Sequence, residues 1–175
     1  MGTLNAVYVR ANGASIEAAV RKIFPTAIIE AGQGFTGFIL ANDTFEPPHD
    51  DLCNLSEEFG TDVIWLSFQS VVDAFQFHHW HEGSLLRSLV YGCYGDEERT
   101  WNQVDGDPET WEGAALFDPE GLKISLKYVQ SDDEKRELER IWQEEELVPD
   151  RNEPIIDARE TARKVARFYD LPGWS

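Results

Sequence analysis

Basic residues are scarce in this chain: 15 Lys and Arg stand against 33 Asp and Glu in 175 residues, for a formal net charge of -18. A surface of that sign repels nucleic-acid phosphate and anionic lipid, and attracts cations or basic proteins. The only basic cluster, Arg159, Arg163, Lys164 and Arg167, is short. It is expected to pair with the acidic stretch 131–146, so no nucleic-acid partner is expected. Cysteine is scarcer still. Cys53 and Cys93 lie in apolar contexts without a C-x-x-C spacing, which excludes cysteine-built zinc and leaves buried free thiols.

No apolar run reaches the length of a membrane span, and Met1 to Asn5 lacks a basic stretch followed by an apolar core. A cytoplasmic protein of bacterial type without a membrane partner is therefore expected. Catalytic signatures are missing too. There is no Gly-x-Ser-x-Gly elbow and no cysteine with a histidine relay, and Gly32-Gln33-Gly34 precedes neither a helix nor a Lys-Ser/Thr pair. An enzyme of a motif-bearing class is not expected, nor is a cofactor.

What the chain has in quantity is apolar and aromatic side chains. With 42% hydrophobic residues, 6 Trp, 10 Phe and 5 Tyr, it has the composition of a folded protein. No linker-like stretch divides it, so residues 1–175 are read as one domain. Residues 4–10 read as a strand, Ile16, Ala19, Val20 and Ile23 follow helical spacing behind Ser15 as cap, and 27–31 and 35–41 read as two strands. A short helix 52–59 starts at Asp51, with the neighbouring aspartates as caps. Residues 62–69 are nearly all apolar, which suits a central strand covered on both faces.

Val71 to Tyr91 is the stretch around which the rest is organised. Two aromatic and branched runs flank Glu82-Gly83, which suits a two-residue turn with glycine at positive φ. With that tip, His81 faces Ser84, Trp80 faces Leu85, His79 faces Leu86, His78 faces Arg87, Phe77 faces Ser88 and Phe75 faces Val90. Alternation then places Phe75, Phe77, His79 and His81 on one face with Leu86, Ser88 and Val90. Gln76, His78 and Trp80 fall on the other with Leu85, Arg87 and Leu89.

Residues 99–104 read as a further strand, with 111–117 continuing the sheet, and 122–128 alternate as a strand unless a helix starts at Asp118. Ser131 to Glu134 is a capping box opening a helix to about residue 146, and Asp157 to Glu160 opens the last one. Trp174 is expected to fold back onto the body. The fold class is α+β: a mainly antiparallel sheet including residues 62–117, helices packed on one face, and two C-terminal helices closing the core.

Two constellations could carry chemistry. On a strand His79 and His81 point to one side, a geometry in which two imidazoles reach one ion, and His49, Asp50 or Asp51 could supply a third ligand. That would suit a metal-dependent hydrolase. The second is the acid and aromatic run Trp101, Asp105, Asp107, Glu109, Trp111 and Glu112. Carboxylates in turns beside tryptophan suit recognition of a basic protein or cationic ligand better than acid-base catalysis. Residues 96–153 hold 19 acids against 7 basic residues, so most of the negative charge sits around this run. Both tryptophans are expected to be at least half buried.

Trp101 to Glu112 and Ala162 to Trp174 resemble segments of small uncharacterised acidic bacterial domains, some of them similar to immunity proteins of polymorphic toxin systems. The resemblance carries no site residues; it implies a bacterial cytoplasmic origin and a binding role. The expected function is non-catalytic binding of a basic protein partner, with the hydrolase as alternative.

Overall fold

The computed structural model describes residues 2–41, 46–92 and 98–174. Cys93 and Asp96 lie outside the described residues. Seven strands, β1 (Thr3–Val9), β2 (Ile28–Ala31), β3 (Thr36–Ile39), β4 (Asp62–Gln69), β5 (Ala74–His81), β6 (Ser84–Gly92) and β7 (Thr100–Gly106), form one sheet in the order β2-β3-β1-β4-β5-β6-β7. Every pairing is antiparallel. The helices are α1 (Ala14–Ile23), α2 (His49–Glu58), α3 (Thr110–Leu116), α4 (Pro119–Tyr128), α5 (Asp132–Glu144) and α6 (Ala158–Tyr169). The α+β class and the antiparallel sheet match the sequence expectation.

The helices occupy both faces of the sheet, where one face was expected. Alternation along β1 and β4 explains this: Val7, Val9, Val63 and Trp65 pack with Ile16 and Val20 of α1 and Leu52 and Leu55 of α2. Ala6, Tyr8, Ile64 and Leu66 point the other way, onto Trp111, Leu138, Ile141, Ala162 and Val165 of the C-terminal helices. A sheet whose centre is apolar on both sides needs a layer on each.

Local rules decide several element ends. Asp118 caps α4 by accepting from the Gly121 N–H, with Pro119 in the first turn. That settles residues 119–128 as helix, the second of the two readings. Residues 110–116 are helix too, so the sheet ends at Gly106 rather than continuing through 117. The helix holds because Trp111, Ala115 and Leu116 bury one side of it, a helical spacing that the strand reading of 111–117 passed over. Ser131 and Asp157 cap α5 and α6 as their sequence pattern implies, whereas α1 and α2 have no side-chain cap. Asp50 and Asp51 stand in the first turn of α2, where they complement its dipole.

The β5-β6 hairpin turns at Glu82 and Gly83, both at positive φ. His81 pairs with Ser84 and Trp80 with Leu85, as expected, but His79 then pairs with Arg87, His78 with Ser88, Phe77 with Leu89 and Phe75 with Tyr91. Leu86 is a bulge. One extra residue reverses the alternation of everything after it, so Arg87, Leu89 and Tyr91 join the face of Phe75 and Phe77 instead of facing away. Gly106 lies against this bulge at φ +82, and a Cβ there would come within 2.0 Å of the Leu86 carbonyl oxygen.

Candidate functional site

The hairpin face that meets α3 and α6 carries a chain of buried polar contacts. Register aligns Asp62 of β4 with His81 and Ile64 with His79, so Asp62, His79 and His81 project together. His79 and His81 do share a face, and Asp62 Oδ1 takes His79 Nε2 at 3.0 Å and His81 Nδ1 at 2.8 Å. Asp62 Oδ2 holds Arg10 Nε at 2.7 Å. On its other side His79 Nδ1 meets Glu109 Oε1 at 2.6 Å. Glu109, the residue before α3, also accepts from Trp111 Nε1 at 2.9 Å and from the Tyr169 hydroxyl at the end of α6.

Charge in this network follows from the contacts. Burial alone pulls the His79 pKa down, but the hydrogen bonds and charges of Glu109 and Asp62 outweigh it and the net shift is upward. Burial pushes Asp62 up, and His79, His81 and Arg10 together hold it below the usual carboxylate range. Burial, then the Glu109 carboxylate, raises the Tyr169 phenol far above its ordinary value, so it stays a proton donor. His79 lies between two carboxylates, which favours the imidazolium with both N–H groups donating. In that form it offers neither a lone pair to a metal nor a basic nitrogen to a substrate. The network is a clasp that ties β4 and β5 to α3 and α6.

The third ligand expected for a metal is elsewhere. His49 stacks edge-on against His78 at 5.0 Å and against Trp80 at 5.5 Å, on the α2 face of the sheet, with Asp50 and Asp51 beside it in the same helix. The sheet itself therefore separates His49 from His79 and His81. Among the described residues no group of three or more His, Cys, Asp or Glu could hold a metal ion. His78 is buried, with Nδ1 on Ser88 Oγ at 2.7 Å. Burial, then the nearby His49, pushes its pKa down to about 3, so the ring is neutral.

The acid and aromatic run is not assembled as one exposed surface. Trp101 and Trp111 are core, 0% and 3% exposed, their ring N–H groups satisfied by the Pro154 carbonyl and by Glu109. Glu112 is buried on Arg87 and accepts the Glu109 backbone N–H. Only Asp105 and Asp107 of the run are exposed. The sequence missed Asp62, Arg87 and Tyr169 as members of the buried polar network. Asp62 follows once β4 and β5 are taken as a hairpin, since strand pairing sets it beside His81; Arg87 depends on the bulge and Tyr169 on how α6 lies.

The exposed acids of α2 stand apart. From Ile23 to Leu86 the sequence has no Lys or Arg, and Asp50, Asp51, Glu57 and Glu58 are exposed. By contrast α5 neutralises many of its own acids through Lys135, Arg136 and Arg140. The hairpin tip docks on α2, with Ser56 Oγ accepting from Gly83 N at 2.9 Å and Cys53 Sγ 3.0 Å from the Gly83 carbonyl. Next to that contact Leu85 and Leu86 are each 42% exposed. No helix among the described residues is long and apolar enough to cross a membrane. The class defined so far is a single α+β domain built on a seven-stranded antiparallel sheet. Comparison with known families, curated proteins and solved structures finds no match to this chain.

Proposed function

We propose that this is a non-catalytic, immunity-like binding protein that holds a basic protein partner, with the contact surface on α2 and the β5-β6 tip. The observation that carries the reading is the un-neutralised acid of α2, Asp50, Asp51, Glu57 and Glu58, beside the exposed Leu85 and Leu86. Acids without local counter-charge supply long-range steering, and exposed leucines supply the dry centre that an interface needs. The site has moved from the sequence expectation. Trp101, Trp111, Glu109 and Glu112 hold the fold, and Asp105 and Asp107 remain as outlying charge.

The test is association with a basic protein encoded beside this chain, followed by stopped-flow at several salt concentrations. The association rate is expected to fall steeply with salt and to drop at least about tenfold in a variant carrying Asp50→Lys, Glu57→Lys and Glu58→Lys. Leu85→Ser with Leu86→Ser is expected to speed dissociation instead. Binding indifferent to salt and to both variants would reject this surface.

A further inference from the structure

A different face holds a cavity around which this acidic chain gathers donors. Between β1, β3, β4, the first turns of α6 and the C-terminal tail lies a space of about 240 Å³. Its walls include Leu4 and Phe68, its floor Tyr8, and its rim Arg159, Arg163 and Trp174. No Asp or Glu lines it, in a chain with 33 of them.

The arginines are placed at a cost. Arg159 is the second residue of α6, at the positive end of the helix dipole, where a cation is unfavourable. It is exposed and makes no ion pair among the described residues. Arg163, one turn on, shares that face of the helix and is held by Glu160 at 2.9 Å. The expected pairing of this basic patch with α5 is not made: Lys164 donates to the Ala115 carbonyl, and α5 pairs with itself. A local rule broken without compensation in the free protein points to a ligand.

The remaining groups fit the same conclusion. Trp174 folds back as expected, donating its indole N–H to the Tyr8 hydroxyl at 2.8 Å, with its ring 6.0 Å from Phe68. The Tyr8 hydroxyl therefore accepts there, and its own hydrogen has no acceptor among the described residues. Burial, against the Trp174 hydrogen bond and with the charge of Glu30, pushes the Tyr8 phenol up to about 12, so that hydrogen is retained at neutral pH.

We infer that this cavity binds a small anion with a flat apolar body, its carboxylate or phosphate on Arg159 and Arg163 and its ring against Trp174 and Phe68. Guanidinium matches both head groups through paired N–H donors, and the volume suits a single-ring molecule rather than a nucleotide.

Calorimetry and Trp fluorescence with benzoate, phenyl phosphate and inorganic phosphate test it. Saturable binding of benzoate or phenyl phosphate is expected, whichever head group is preferred, with inorganic phosphate weaker than either. Arg159→Gln, an exposed position, should weaken binding at least about tenfold, the value of one charge-assisted contact, while the melting temperature of the free protein holds or rises slightly, since a cation leaves the positive end of the α6 dipole. Arg167→Gln, on the same helix but away from the cavity, should leave the affinity as it was. Absence of saturable binding by both ring probes, equal binding of inorganic phosphate, or equal loss in the two variants would overturn the proposal.

Discussion

Arg87 and Glu112 form a bidentate ion pair with almost no access to water: Nε to Oε1 is 2.8 Å, Nη2 to Oε2 is 2.7 Å, and the two side chains are 2% and 1% exposed. Arg87 also donates through Nη1 to the Asp105 and Gly106 carbonyls, so the guanidinium closes the end of β7 onto α3. Removing one partner of such a pair strands the other charge in the core.

Glu112→Ala is therefore expected to destabilise the fold by about 3–5 kcal/mol, measured by urea denaturation. Replacing both partners, Arg87→Met with Glu112→Leu, should cost less than Glu112→Ala alone, because no charge is left buried. A double variant less stable than the single one would show that the bonds from Arg87 to β7 outweigh the pair.

Trp111→Ala should lower stability by about 3–5 kcal/mol, since a large core side chain is lost and Glu109 loses a donor. Trp111→Phe keeps most of the volume and isolates the hydrogen bond at roughly 1–3 kcal/mol. Neither substitution should alter the association rate of the folded fraction with a basic partner beyond that loss of folded protein.

The two neighbouring histidines give stability opposite dependences on pH. The pKa of His78 is pushed from 6.5 to about 3 in the folded protein, so below pH 6.5 the unfolded chain takes a proton that the folded one refuses. Stability then falls by about 1.4 kcal/mol per pH unit. His79 is shifted upward, so its contribution is complete below 6.5 and is lost as pH rises through its folded value. A maximum near pH 6.5 is expected in denaturation series. His79→Gln should flatten the alkaline limb and His78→Leu the acid limb, with Asp62 adding a further loss at lower pH because its folded pKa is depressed.

Elemental analysis of protein purified without added ions should give no stoichiometric zinc, iron or manganese, since both ring nitrogens of His79 face carboxylates. About one metal per chain, lost in His79→Ala and in His81→Ala, would restore the hydrolase reading and show that the clasp opens.

Much of the fold was legible because its signals are local. Apolar and aromatic runs gave β1, β4 and β5, and the caps at Ser131 and Asp157 gave the last two helices. The shared face of His79 and His81 followed from strand geometry alone. Residues 119–128 were ambiguous because Leu122, Ile124, Leu126 and Tyr128 alternate; Ile124 and Tyr128 are in fact exposed on a helix. The burial of Trp101, Glu109, Trp111 and Glu112 was only half visible. Their carboxylates look solvated in sequence, and it is Arg87, His79 and Tyr169, distant along the chain, that make burial affordable.

At Leu86 the fold counts a residue without reading it. The side chain is 42% exposed and its identity matters little to stability, so Leu86→Ser or Leu86→Thr should fold at small cost whatever it does to binding. Its presence matters a great deal, since deleting it would turn Arg87, Leu89 and Tyr91 toward α2 and leave Glu112 without a counter-ion. Relatives that keep this sheet should therefore all have a residue at that place, whatever its letter, and an alignment that opens a gap there has turned Arg87, Leu89 and Tyr91 to the wrong face.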